Sequence, residues 1–298
     1  RQLSGKGPDV GRPRFAAGAD LIITDHYNPP ATEAELPEAY AVVHPRRPGS
    51  AYPFGEFYRV KRANFSPVRD RAFHYCVFAS AYGRTSSSGI ALIRGNDFIV
   101  TLGDPGWVPG SDEEWAFWQG STLAHELGHN LGLEHGGPDS YNYKPNYLSI
   151  MNYAYQLVGL VKDGEFGTMD YARTRAADLN EHRLVEANGI AGPALLSRYG
   201  TQWVCPDGSV PTDTNVRDGI DWNCDGDIGD TVSQNINADV DSLNRPILVR
   251  LDVWNDWANL FYTGGPIGTD DGAAIGGGVP EITAPQLQIW TKRATRRE

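Results

Sequence analysis

The chain has 298 residues, 40% of them hydrophobic and 21% charged, which suits one or two globular domains with a real core. Its formal net charge of −11, with no basic stripe and interleaved aromatics to offset it, argues against a nucleic-acid partner. No apolar run of about eighteen or more residues appears, so no membrane span is expected. The first residue is Arg rather than Met, as expected of a processed or trimmed chain, so any leader or propeptide is not readable.

Residues 1–20 read as irregular. "ADLIITDHY" (Ala19 to Tyr27) predicts a buried strand, whereas "ATEAELPEAYAVV" is ambiguous because Pro37 interrupts a helical pattern. "FGEFYRVK" (54–61) alternates like a strand, and the apolar "AFHYCVFAS" (72–80) predicts a strand central in its sheet. "SGIALI" and "NDFIVTLG" are two further strands split by the turn signal "RGND". Ser111 followed by Glu114 has capping-box spacing, so a helix is expected from Ser111 through Leu131, with Gly120 a candidate break and Gly132 the stop. The stretch from Gly136 to Tyr155 predicts irregular but ordered chain. "AADLNEHRLVEAN" (176–188) predicts a second helix ending at Gly189, and the Gly-rich tail after Gly264 is expected to be partly mobile. Cys205 and Cys224 lie close enough in sequence to pair, while Cys76, in an apolar run, reads as a buried free thiol.

The chemistry concentrates in "HELGHNLGLEH", His125 to His135. His125 and His129 are one helical turn apart and project from one face, a preset pair of ligands for a tetrahedral zinc ion. Glu126 is rotated by about a hundred degrees, so it can reach a water on the metal without being a ligand. A continuing helix would carry residue 135 past the metal; Gly132 accepts a positive φ and lets the chain bring His135 back. Three histidines leave a fourth position open, the mark of a catalytic zinc site.

This stretch resembles HExxHxxGxxH, the signature of the metzincin clan of zinc endopeptidases. The clan has a methionine-containing turn beneath the metal, and Met151 in "LSIMNY" is placed for it; Met169 reads as core. The resemblance implies that Tyr153, two residues on, stands near the metal and donates to the oxyanion of the tetrahedral intermediate, as in the astacins and serralysins. It implies an α+β fold: a twisted mixed sheet with backing and active-site helices above a cleft, and an irregular lower part with a C-terminal helix, for which 176–188 is the candidate. It also implies that protein or peptide substrates bind extended along an edge strand, with Ser88 to Leu92 the candidate. On this reading residues 1–200 are the catalytic domain, with the upper part ending near 135 and the lower part at 136–200. Residues 201–298 are a calcium-loop region packed on it. The expected protein is a secreted zinc endopeptidase, made as a zymogen, with Glu126 as general base and Tyr153 assisting. The rival readings are a zinc hydrolase of a non-peptide amide or ester, and a non-catalytic module stabilised by its metals.

"DWNCDGDIGD" carries D-x-N-x-D-G. Asp221, Asn223, Asp225 and Asp227 alternate, with Gly226 at the bend, as a loop of hard oxygen ligands for Ca²⁺ requires. The EF-hand's last glutamate is missing, so the loop resembles those of dockerin or thrombospondin type 3 repeats. Asn237 and Asp239, in the alternating "NINADVD", are candidates to complete it. The other reading is a solvated turn held by Asx-type hydrogen bonds.

Overall fold

A hairpin and a parallel partner build the upper sheet. In this computed structural model, residues 64–69, 72–81, 86–261 and 281–294 are described, together with Phe57 and Lys61. The strand expected at 19–27 and the ambiguous 31–43 lie outside them. β1 (Tyr75–Phe78) pairs in parallel with β3 (Asp97–Val100), and β2 (Gly89–Ala91) pairs antiparallel with β3. The order is therefore β1-β3-β2, so among the described residues β3, not β1, is central. The apolar run around Cys76 misled because β1 is only half-buried, while all four residues of β3 are buried. Arg94, at φ 57°, turns the hairpin within "RGND". Phe57 and Lys61 are helical rather than extended. Phe57 packs with Ile90 and Ile99, and the Lys61 ammonium meets the buried Asp97 carboxylate at 2.7 Å, so tertiary partners override the alternation.

α1 (Asp112–Asn130) runs unbroken through Gly120. Ser111 caps it by accepting from the Glu114 amide, and Asp112, Glu113 and Glu114 place negative charge at its positive end. Its far end closes in a Schellman turn: the Leu133 amide donates to Gly128 O, the Gly132 amide to His129 O, and Gly132 sits at φ 90°. Asn130 ties that end to the sheet, its amide donating to Leu92 O and Asp97 O at 2.8 and 3.1 Å.

Below the helix the chain is mostly irregular, with short antiparallel pairs: β4 (Leu160–Lys162) with β5 (Glu165–Thr168), and β8 (Thr201–Gln202) with β9 (Thr212–Asp213). The helix expected at 176–188 is absent. β6 (Leu179–Asn180) and β7 (Leu184–Val185) stand there, followed by a 3-10 turn. β7 pairs with β10 (Thr231–Val232), and β6 with β11 (Arg250–Leu251). Asn180 turns the chain by accepting from the His182 amide. Buried Glu181 accepts from the Ile236 and Val249 amides, so contacts 50 to 70 residues distant replace the local ladder. One apolar core joins residues on both sides of position 200, from Tyr147 and Leu160 to Trp222, Ile236 and Leu251. Cys205 and Cys224 form a disulfide, and Cys76 is a half-buried free thiol. Met169, expected in the core, is 40% exposed. α2 (Asp256–Asn259) follows; the Gly-rich stretch expected to be partly mobile lies outside the described residues as far as 280, and Glu281 leads into α3 (Ala284–Ala294).

Candidate metal centre

The Schellman turn carries His135 back to the helix face that presents His125 and His129. The three Nε2 atoms lie 3.2, 3.2 and 3.0 Å from one another, and all three rings are buried. His125 Nδ1 meets Ile150 O at 2.8 Å, and His129 Nδ1 meets Leu133 O at 2.8 Å. A carbonyl accepts only, so both Nδ1 atoms donate to it and both Nε2 atoms face the shared centre. Burial pushes the His135 imidazole down to about 4, against the pull of Glu281, so it is neutral at pH 7.

The fourth corner is a residue that sequence reasoning missed. Glu281 Oε2 lies 2.8 Å from His125 Nε2 and 3.1 Å from His135 Nε2, and its Oε1 lies 3.0 Å from His129 Nε2. Burial alone would raise this carboxyl, but the three imidazoles, His135 foremost, hold it well below the usual range. The ring nitrogens of His125, His129 and His135 and the Glu281 carboxylate converge closely enough to share one cation. Corners about 3.3 Å apart are those of a tetrahedron with arms of about 2.0 Å, the length of a zinc–nitrogen bond, and the observed edges approach it. The donor set fits a divalent metal, and His125, His129, His135 and Glu281 could hold one.

Glu126 is fully buried, and neither carboxylate oxygen has a hydrogen-bond partner among the described residues. Burial and then the Glu281 charge push its carboxyl well above the usual range. It abuts the edge strand: a Cβ built on Gly89 would lie 2.2 Å from Glu126 Oε1. The Tyr153 ring packs 4.4 Å from His135, and its hydroxyl donates to Glu281 Oε2 at 3.4 Å. Burial and Glu281 raise that phenol, so it stays protonated and can donate.

Met151 is fully buried beneath α1, where a Cβ on Gly128 would meet its Sδ at 2.4 Å. Glycine between the two histidines is thus what lets the turn rise against the helix. The turn is held by Ser149, whose hydroxyl accepts from the Met151 amide and meets Asp256 at 2.5 Å.

The acidic loop is arranged differently. Asp221 accepts from the Asp225 and Gly226 amides, Asp225 from the Asp227 amide, and Asp227 from the Gly229 amide. Asn223 donates to Asp225 at 2.9 Å, and Gly226 makes the bend at φ 95°. Asn237 accepts from the Asp239 amide, while Asp239 accepts from the Val240 amide. Among the described residues, the histidine cluster is the one group of three or more His, Cys, Asp or Glu donors close enough to share an ion. The loop geometry forms, but the carboxylates of Asp221, Asp225, Asp227 and Asp239 are not brought together.

One local signal marks the missed segment. Thr283 and Gln286 have capping-box spacing, and the Gln286 carboxamide accepts from the Thr283 amide at 2.8 Å. That pattern announces α3, though nothing in it points Glu281 at the histidines.

No protein family and no solved structure matches this chain. A stretch of 39 residues is 54% identical to part of the single-stranded-DNA-specific exonuclease RecJ of Bacillus subtilis, covering 13% of this chain and 5% of that protein.

Proposed function

We propose that this chain is a secreted zinc endopeptidase of metzincin type. The observation that carries the reading is the trio of inward-facing Nε2 atoms, two of them oriented by backbone carbonyls, with an unpartnered buried carboxylate on the next residue of the same helix. A purely structural site has no use for Glu126, whose burial without partners costs about 1–3 kcal/mol or more. Zinc, when bound, supplies a Lewis acid and an activated water. Glu126 then takes a proton from the attacking water and passes it to the leaving amine. The Tyr153 hydroxyl donates to the oxygen on which negative charge develops. Substrate is positioned along the edge that begins at Ser88 and continues into β2. The Cys205–Cys224 bridge supports an oxidising, extracellular setting. We further propose, on the D-x-N-x-D-G pattern and the bend at Gly226, that the 221–227 loop takes a structural Ca²⁺.

The test is digestion of a diverse peptide mixture by the zinc-loaded chain with and without a chelator, with new termini read by mass spectrometry. Chelator-sensitive cuts are expected. Cleavage of amide or ester reporters with no peptide cuts would shift the reading to a non-peptide hydrolase, and zinc uptake with no hydrolysis of any substrate by any variant would leave only a metal-stabilised module.

A further inference from the structure

Glu281 does not reach the histidines as a stray side chain; the residues after it are paired to the chain that leads into β2. The Ser88 amide donates to Ile282 O at 2.9 Å, the Ala284 amide donates to Ser86 O at 3.2 Å, and Ser87 and Thr283 form an antiparallel bridge. These pairings use the backbone groups at the entrance to β2, an outer strand of the described sheet. Beyond them, Ile282, Ala284 and Leu287 are buried in the cluster that includes Trp107, Trp118 and Tyr153. Trp290 crosses to the lower part and stacks on Tyr143 with ring centroids 4.6 Å apart. The segment therefore runs from the entrance to β2 to the lower core, with its one carboxylate at the metal corner.

Two physical consequences follow. On the proposed reading an incoming extended peptide needs the Ser88 amide and the corner of the metal site that Ile282 and Glu281 already use. An intramolecular occupant also competes at an effective concentration of order millimolar, so an ordinary substrate is at a disadvantage.

We propose that Glu281–Trp290 is a built-in occluding segment. Glu281 is the fourth ligand of the metal, and Ile282–Ala284 cover the start of the substrate edge at Ser88, so the chain is latent while the segment is seated. The ligation half stands on the donor cluster; the latency half rests on the zinc-endopeptidase reading.

The experiment uses the full chain loaded with cobalt(II), as wild type, Glu281→Ala and Glu281→Gln, with acetohydroxamate as the probe of the fourth position. The visible cobalt spectrum is expected to change in Glu281→Ala, and acetohydroxamate to bind at least tenfold more tightly than to wild type. Glu281→Gln, a weaker ligand of the same size, is expected to fall between, which guards against misfolding of the alanine variant. Peptide turnover by zinc-loaded Glu281→Ala is expected to rise at least tenfold. An unchanged spectrum and unchanged probe affinity in both variants would overturn the ligation. Tighter probe binding with cleavage no faster than wild type would overturn the occlusion. If the spectrum changes but no variant cuts any peptide, the endopeptidase reading falls with the latency, and Glu281 remains a ligand. No cobalt uptake would overturn both.

Discussion

Glu126→Gln separates what the site needs for chemistry from what the fold needs for stability. The Glu126 carboxylate is fully buried, neither oxygen has a partner among the described residues, and burial and Glu281 hold its carboxyl well above the usual range. A carboxyl whose folded pKa exceeds its unfolded value destabilises the fold. The penalty is nil below the unfolded pKa, grows as pH rises above it, and levels off at the folded pKa. Glutamate ordinarily titrates near about 4.3, and one pH unit is worth about 1.4 kcal/mol, so the penalty at pH 7 cannot exceed about 3.7 kcal/mol. The glutamine amide shares the unmet hydrogen bonds but not the cost of charge. Chelator-stripped Glu126→Gln is therefore expected to be more stable than wild type by about 1–4 kcal/mol at pH 7, with the gap closing toward pH 4. Urea unfolding of both proteins across that range measures it. A midpoint for Glu126→Gln no higher than wild type at pH 7, or a gap that does not narrow with acid, would refute the reasoning. With zinc restored, the same variant is expected to keep the metal and lose cleavage; full activity would remove Glu126 from the mechanism.

Tyr153→Phe removes the hydroxyl and keeps the ring against His135. Turnover is expected to drop by about ten- to a thousandfold with zinc content and melting temperature unaltered, and unchanged turnover would make Tyr153 a packing residue. Asp256 is buried and accepts from Tyr147, Ser149, the Ala172 amide and the Trp254 indole. Asp256→Ala orphans these donors and should cost about 2–5 kcal/mol in urea unfolding while lowering zinc affinity, because Ser149 shapes the turn whose Ile150 carbonyl orients His125. A loss under about 1 kcal/mol would show that water replaces the network. For the acidic loop, Ca²⁺ at a hundredfold excess over its Kd should stabilise by about 2.7 kcal/mol, a rise of several degrees in melting temperature that Asp221→Ala abolishes. An absent shift would leave the loop as a set of Asx turns.

What the sequence made legible follows contact range. The helix over 112–130, its Ser111 cap, the stop at Gly132 and the return of His135 are all written within about two dozen residues, where spacing converts directly into geometry. Met151 and Tyr153 were reached through a resemblance, and the structure places both beside the histidines for a local reason: glycine at 128 leaves room for the Met151 sulfur. Where partners are distant, local pattern failed. The 176–188 stretch has the periodicity of a helix, yet Leu179 and Leu184 pair with strands from 231–251, and Glu181, which looks like a solvent-facing helical residue, is a buried acceptor for those distant amides. Glu281 is the extreme case. It stands 146 residues beyond His135, and no spacing rule links it to a ligand set that was already chemically complete with three histidines. Only the fold reveals that the position expected to stay open for water and substrate is taken by the chain's own carboxylate. On the proposed reading catalysis and latency are tied to one atom set, so a substitution at Glu281 should move both the metal's spectrum and its accessibility, whereas one at Glu126 should move neither.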